Sequence, residues 1–176
     1  MFRTRRALIT VAFALVACAA PGAQADAVYT ATLDGAQNLP EPIRTEATGT
    51  VELKVSADRK SVQYTVSLSK LVNTAAADLH LGPPIQNGPL VIKLWPQSSS
   101  AAKKGEFSGV LVQGKFDSGD LIGPMTGAPL TDLIEELEAG NVYVNVHTND
   151  GVGAPNSGPG DFPGGEIRGQ VRTKDQ

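Results

Sequence analysis

Cysteine is nearly absent from this chain. Cys18 is the only one, and it lies in an N-terminal segment that reads as an export signal. The rest of the chain therefore has no disulfide, no thiol nucleophile and no thiolate metal site. Long apolar runs are also missing. The longest, Ala7 to Ala17, has eleven residues, well short of the roughly 20 needed to cross a bilayer as a helix. Basic clusters are absent too. Beyond residue 25, twelve lysines and arginines stand against eighteen acidic side chains, a formal charge of −6. Nothing there gathers cations as phosphate neutralisation requires, which excludes nucleic acid as a partner. Histidine occurs only at His80 and His147, too few for a histidine-rich redox centre. No serine sits in a Gly-x-Ser-x-Gly elbow, no Ser/His/Asp set announces itself, and no phosphate loop opens a helix. The expectation is a protein that is not an enzyme.

The export reading comes from the order of the first 25 residues. Arg3, Arg5 and Arg6 form a basic start, Ala7 to Ala17 an apolar core, and Ala23-Gln24-Ala25 a small-x-small cleavage site. Leu15-Val16-Ala17-Cys18 also fits a lipobox, in which Cys18 is lipidated and becomes the new N-terminus. The two sites compete. One gives a periplasmic or secreted protein, the other a membrane-anchored lipoprotein. Residues 26–176 then form one domain, long enough to bury a core without covalent staples.

That domain alternates with period two. Val142, Val144 and Val146 oppose Tyr143, Asn145 and His147; Ile167, Gly169 and Val171 oppose Glu166, Arg168, Gln170 and Arg172. Both segments read as strands with a dry face and a polar face. Ala47 to Val55 and Val62 to Leu68 alternate across a short polar turn at Asp58-Arg59, the pattern of an antiparallel hairpin. Val28 to Leu33, Ala77 to Leu81, Leu90 to Trp95 and Glu106 to Phe116 supply further short strands. Leu130, Leu133, Ile134 and Leu137 are spaced i, i+3, i+4, i+7, with Pro129 ahead and Gly140 behind, and predict one short helix. Eight or nine short strands with glycine and proline turns predict an all-β antiparallel sandwich, with a barrel as the lesser option. Asp150 to Gly165 reads as an exposed loop at one end, and Trp95 as packing at the edge of the core.

Several pieces, in order, resemble the CHRD (chordin) domain: Leu33-Asp-Gly-Ala-Gln-Asn-Leu-Pro40, Ala47-Thr-Gly-Thr50, Ala77-Asp-Leu-His-Leu-Gly82 before Asn87-Gly-Pro-Leu-Val91, the helix from Leu130 to Gly140, Tyr143-Val-Asn-Val-His-Thr148, and Gly165-Glu-Ile-Arg-Gly-Gln170. The resemblance implies an immunoglobulin-like sandwich, similar in architecture to copper–zinc superoxide dismutase, in a bacterial exported member. It implies a binding or structural module of the cell envelope, with an envelope or extracellular protein as partner, and no particular catalytic activity. The family commonly carries Ala-His-Ile-His in its first motif. Here Asp78 stands where the first of those histidines falls.

The sharpest candidate site is His80 and His147 with Asp78, and Glu166 as a further carboxylate. Asp78 and His80 are two apart on a strand and share a face. Two imidazoles with carboxylate help suit zinc or copper(II), the alternative being that no cofactor binds and each histidine holds a loop by hydrogen bonds. Glu166 and Arg168 are also two apart. They read either as a solvated ion pair or, in Arg168, as an anion clamp. Asn145, Asp150 and Asp161 are a weaker calcium set, lacking the regular acid spacing of calcium loops.

Overall fold

The computed structural model describes residues 26–95, 103–153 and 158–174. The expected export segment and lipobox, with Cys18, lie outside the described residues, as do 96–102 and, within the expected loop from Asp150 to Gly165, 154–157. Among the described residues eight strands form: β1 (Ala27–Leu33), β2 (Thr48–Val55), β3 (Val62–Leu81), β4 (Leu90–Trp95), β5 (Lys103–Phe116), β6 (Val142–Thr148), β7 (Ile167–Gln170) and β8 (Arg172–Thr173). One helix, α1 (Leu130–Glu138), precedes β6, and its four leucine and isoleucine side chains at the expected spacing are all buried. Gly140, in the left-handed region at φ 72°, ends it.

The fold is all-β and antiparallel, and its strands join into one sheet that nearly closes on itself. The order runs β7-β6-β3-β2-β1-β8, with β4 and β5 also pairing with β3. Closure comes where β1 ends beside β7. Asp34 N–H donates to the Arg168 carbonyl at 3.1 Å, and Arg168 N–H to the Asp34 carbonyl at 3.0 Å. The backbones approach so closely here that a Cβ on Gly169 would overlap the Thr32 carbonyl oxygen. Only glycine fits.

The long β3 corrects the expectation of two separate strands, Val62 to Leu68 and Ala77 to Leu81. It is one strand of twenty residues. Lys70 (φ 56°) and Asn73 (φ 51°) take left-handed backbone, and the ladder to β5 shifts register across them. Each such bulge adds a residue and displaces the alternation. Burial accordingly runs 62, 64, 66, 68 and then 71, 74, 77. β3 thus carries its first half between β2 and β5 and its second half between β4 and β6. The core between the faces is aliphatic: Leu33, Leu53, Leu71, Leu79, Leu94 and Val144 are all fully buried. Trp95 also belongs to this core, at 9 % exposure.

Candidate metal centre

The outer face of β6 was expected to be polar; it is also buried. Tyr143 and Asn145 are 2 % and 8 % exposed. The register explains what they meet. Asp78 pairs with Asn145, which pairs with Arg168; His80 pairs with Tyr143, which pairs with Gln170; Ala76 pairs with His147. Residues of one face on adjacent strands stand side by side. These rungs therefore build a layer of polar and aromatic side chains over β3, β6 and β7, covered by the loops around Gly88 and Pro163.

Within that layer three sequence-predicted residues converge. One ligand atom each from Asp78, His80 and His147 lie within 4.8 Å of one another, the one such group of histidine, cysteine or acid side chains among the described residues. Each ring is oriented from behind. His80 Nδ1 lies 3.0 Å from the Gly88 carbonyl oxygen, and His147 Nδ1 lies 2.8 Å from that of Pro163. A carbonyl only accepts, so both rings carry hydrogen on Nδ1. That assigns the Nε2 lone pairs to the shared space. Both Nε2 atoms are buried with no hydrogen-bond partner. His147 Nε2 sits 3.4 Å from Asp78 Oδ2, close enough for ionic attraction but too long for a good hydrogen bond.

The electrostatics follow from burial. Asp78 is pushed up to about 6, chiefly because burial penalises its carboxylate, with His147 and Lys93 pulling the other way. Burial also lowers His80, outweighing its bond to Gly88. At neutral pH the cluster thus offers an ionised carboxylate and a neutral His80 imidazole. Three acceptors facing one another in a poorly solvated space repel unless a cation lies among them. A metal ion is such a cation.

Glu166 is not brought to this cluster. It precedes β7, and its carboxylate accepts from Thr45 Oγ1 at 2.6 Å, Thr148 Oγ1 at 2.8 Å and Gly160 N–H at 2.8 Å. Its role is to tie two loops to the end of β6. The solvated Glu166–Arg168 ion pair is likewise overturned. Both residues are nearly fully buried, and each has other partners. The Arg168 guanidinium lies 3.9 Å over the Tyr143 ring and donates from Nη2 to Gln170 Oε1 at 3.3 Å. Burial lowers its pKa, against the pull of Tyr143. Of the expected exposed loop, residues 149–153 are indeed exposed, whereas 158–165 return to the end of β6, where Phe162 bonds Thr148. The calcium candidates serve turns there: Asn145 Nδ2 donates to Gly164 O, and Asp150 accepts from Val152 N–H.

Sequence reasoning missed the groups that orient the site. Gly88 and Pro163 contribute carbonyls, which every residue has, so only their loop positions single them out. Tyr143 was visible as a polar-face residue but not as a spacer. It stacks on His80 at 5.0 Å between centroids, and its hydroxyl accepts from Gly88 N–H at 3.0 Å. Tyr143 thereby fixes both the ring and the loop that His80 leans on.

No curated protein and no solved structure matches the chain. A family model described as CHRD domain matches residues 29–155, a span that takes in most of β1, all of β2 to β6, α1 and all three converging side chains. The chain belongs to the CHRD domain family, which places it among binding and structural modules.

Proposed function

We propose that this protein is an exported CHRD-domain binding module, not an enzyme, whose recognition centre is a zinc or copper(II) site formed by Asp78, His80 and His147. One observation carries the metal reading: two buried Nε2 lone pairs, each fixed by a carbonyl on the opposite ring nitrogen, face the same carboxylate. Backbone or carboxylate acceptors behind the ring are the usual means of orienting a histidine ligand. Two imidazoles and a carboxylate match the preferences of both ions. Ligands of a tetrahedral ion bonded at about 2.0–2.1 Å lie roughly 3.4 Å apart, so the cluster needs only a small closure of side chains to bind. Three protein donors also leave a tetrahedral position for a group from the medium or from a partner.

Export is supported by the signal-like first 25 residues, and among the described residues no helix is long and apolar enough to cross a membrane. Cleavage after Ala25 gives a periplasmic or secreted form; processing at Cys18 gives a lipid-anchored one. Intact-mass measurement of the exported protein separates them.

Calorimetric titration of residues 26–176 with zinc and copper(II), beside the His80→Ala/His147→Ala variant, tests the site. Binding of one ion per chain that disappears in the variant is expected. Absence of binding, or equal binding by the variant, overturns the metal reading and leaves the histidines as loop-holding groups.

A further inference from the structure

On the other side of Tyr143 lies a cleft of about 560 Å³, lined by Thr30 and Thr32 of β1, the loop residues Ala36 to Pro40 and Pro42, Pro84, and Arg168, Gln170 and Arg172. The segment resembling the family's opening motif forms one wall, although nothing in the metal centre uses it. The lining has two arginines and no acid, in a chain whose net charge is negative. Such a pocket concentrates positive potential where the rest of the surface does not.

Arg168 is the unusual member. It is only 2 % exposed, and it forms no ion pair among the described residues. Its Nε is buried without a hydrogen-bond partner. A buried cation lacking its anion is costly, and the cost falls when an anion arrives. The guanidinium is also held in place. Tyr143 supports its plane, while Gln170 holds Nη2 through Oε1. Gln170 is itself fixed, since its Nε2 donates to the Gly82 carbonyl at 2.9 Å and the Gly140 carbonyl at 2.8 Å. A planar guanidinium oriented in advance at the floor of a cleft suits a planar, two-oxygen acceptor. Leu39, Pro40, Pro42 and Pro84 give the rim an apolar part.

We infer that this cleft is a binding site for a carboxylate attached to a small apolar body, with Arg168 and Arg172 as its cationic contacts and Gln170 as a positioning residue. The inference stands apart from the metal reading, since it needs neither histidine.

The test uses N-acetyl-leucine, its uncharged amide and inorganic phosphate as probes, followed by amide and arginine Hε resonances of residues 26–176 in ¹⁵N NMR spectra. Saturable shifts at Thr30, Gln37, Gln170 and Arg168 Hε are expected with the acid and not with the amide. Arg172→Gln, an exposed substitution that leaves the fold intact, should weaken the acid about tenfold, the effect of losing one charged contact worth roughly 1.4 kcal/mol. Arg168→Lys, which keeps the charge but not the planar fork, should abolish saturation while Arg172→Gln only weakens it. The proposal is overturned by silence with the acid up to about 10 mM, a level at which even a very weak site responds, by equal shifts with the amide or with phosphate, or by unchanged affinity in Arg172→Gln.

Discussion

The two faces of β6 are both largely dry and built on different principles. On the inner face Val142, Val144 and Val146 are fully buried among aliphatic side chains of β3, β7 and α1. Their contacts are non-directional, and any hydrocarbon of matching volume and shape serves. On the outer face Tyr143, Asn145 and His147 are held by named partners: the Gly88 backbone, the Gly164 carbonyl and the Pro163 carbonyl. Here the few unpartnered atoms carry meaning. Burial on the inner face makes stability. On the outer face it makes acceptors and donors that water does not satisfy, which is the condition for binding something else.

The contrast is sharpest in substitutions. Leu79, fully buried on the inner side of β3, should lose about 2–5 kcal/mol as Leu79→Ala through lost contacts and a cavity. Chemical denaturation with unchanged metal stoichiometry at low denaturant checks this. Next comes Glu166. In Glu166→Ala three buried or half-buried donors lose their acceptor, at a cost of about 2–4 kcal/mol. Glu166→Gln should cost less, since one amide oxygen still serves Thr148 and Gly160 and the Thr45 hydroxyl can rotate to accept. A Gln variant as damaged as the Ala variant would mean that the negative charge, rather than the geometry, holds the loops.

Asp78→Asn should act in the opposite direction. The folded state keeps the Asp78 proton up to about pH 6, whereas the unfolded chain releases it near 3.8. Between those values the folded state binds more protons, so this group's contribution falls as pH rises and is fully lost above pH 6. The metal-free Asn variant should therefore be more stable than wild type at pH 7.5, by about 1–3 kcal/mol, with the gain gone at pH 4. His80 opposes this in the wild type. Its lowered pKa means that the unfolded chain takes up that proton first as pH falls below 6.5. The variant-minus-wild-type difference cancels that background. The same substitution should weaken metal binding, as should acidification of the wild type below about pH 6. A ligand that stabilises while its apo site destabilises is a clear sign of a site selected for binding.

How much of this was legible in the residues depended on whether a local rule governed each part. Alternation in Thr48 to Val55 and the leucine spacing of α1 were readable because period alone decides which side is dry. The continuity of β3 was not. The stretch from Lys70 to Ala76 breaks alternation, and bulges at a lysine and an asparagine carry no strong local signal. The convergence of Asp78, His80 and His147 was half visible. The i, i+2 pair was local, while the neighbourhood of His147 required the β3–β6 register. Glu166 failed as a candidate because it stands one residue before the ladder begins, where the alternation rule does not yet hold. Arg168 was misjudged because a strand's polar face was equated with a wet face, and the loops that cover it lie far away in sequence.

The smallest expected effect is the most informative about the histidines. His147→Ala removes one net hydrogen bond, to Pro163, and a ring that is 18 % exposed at its side chain. If the ring's chief employment is to face a metal, the metal-free protein should lose only about 1 kcal/mol, or about 2–4 °C in Tm for a domain of this size. Zinc or copper should then no longer raise the Tm, because the stabilisation that a bound ion gives the folded state disappears with its ligand. Thermal melts of both proteins with and without metal separate the cases. Were the metal-free loss instead as large as that of Leu79→Ala, His147 would belong with the core as a structural strut. The outer face would then be a second stabilising layer.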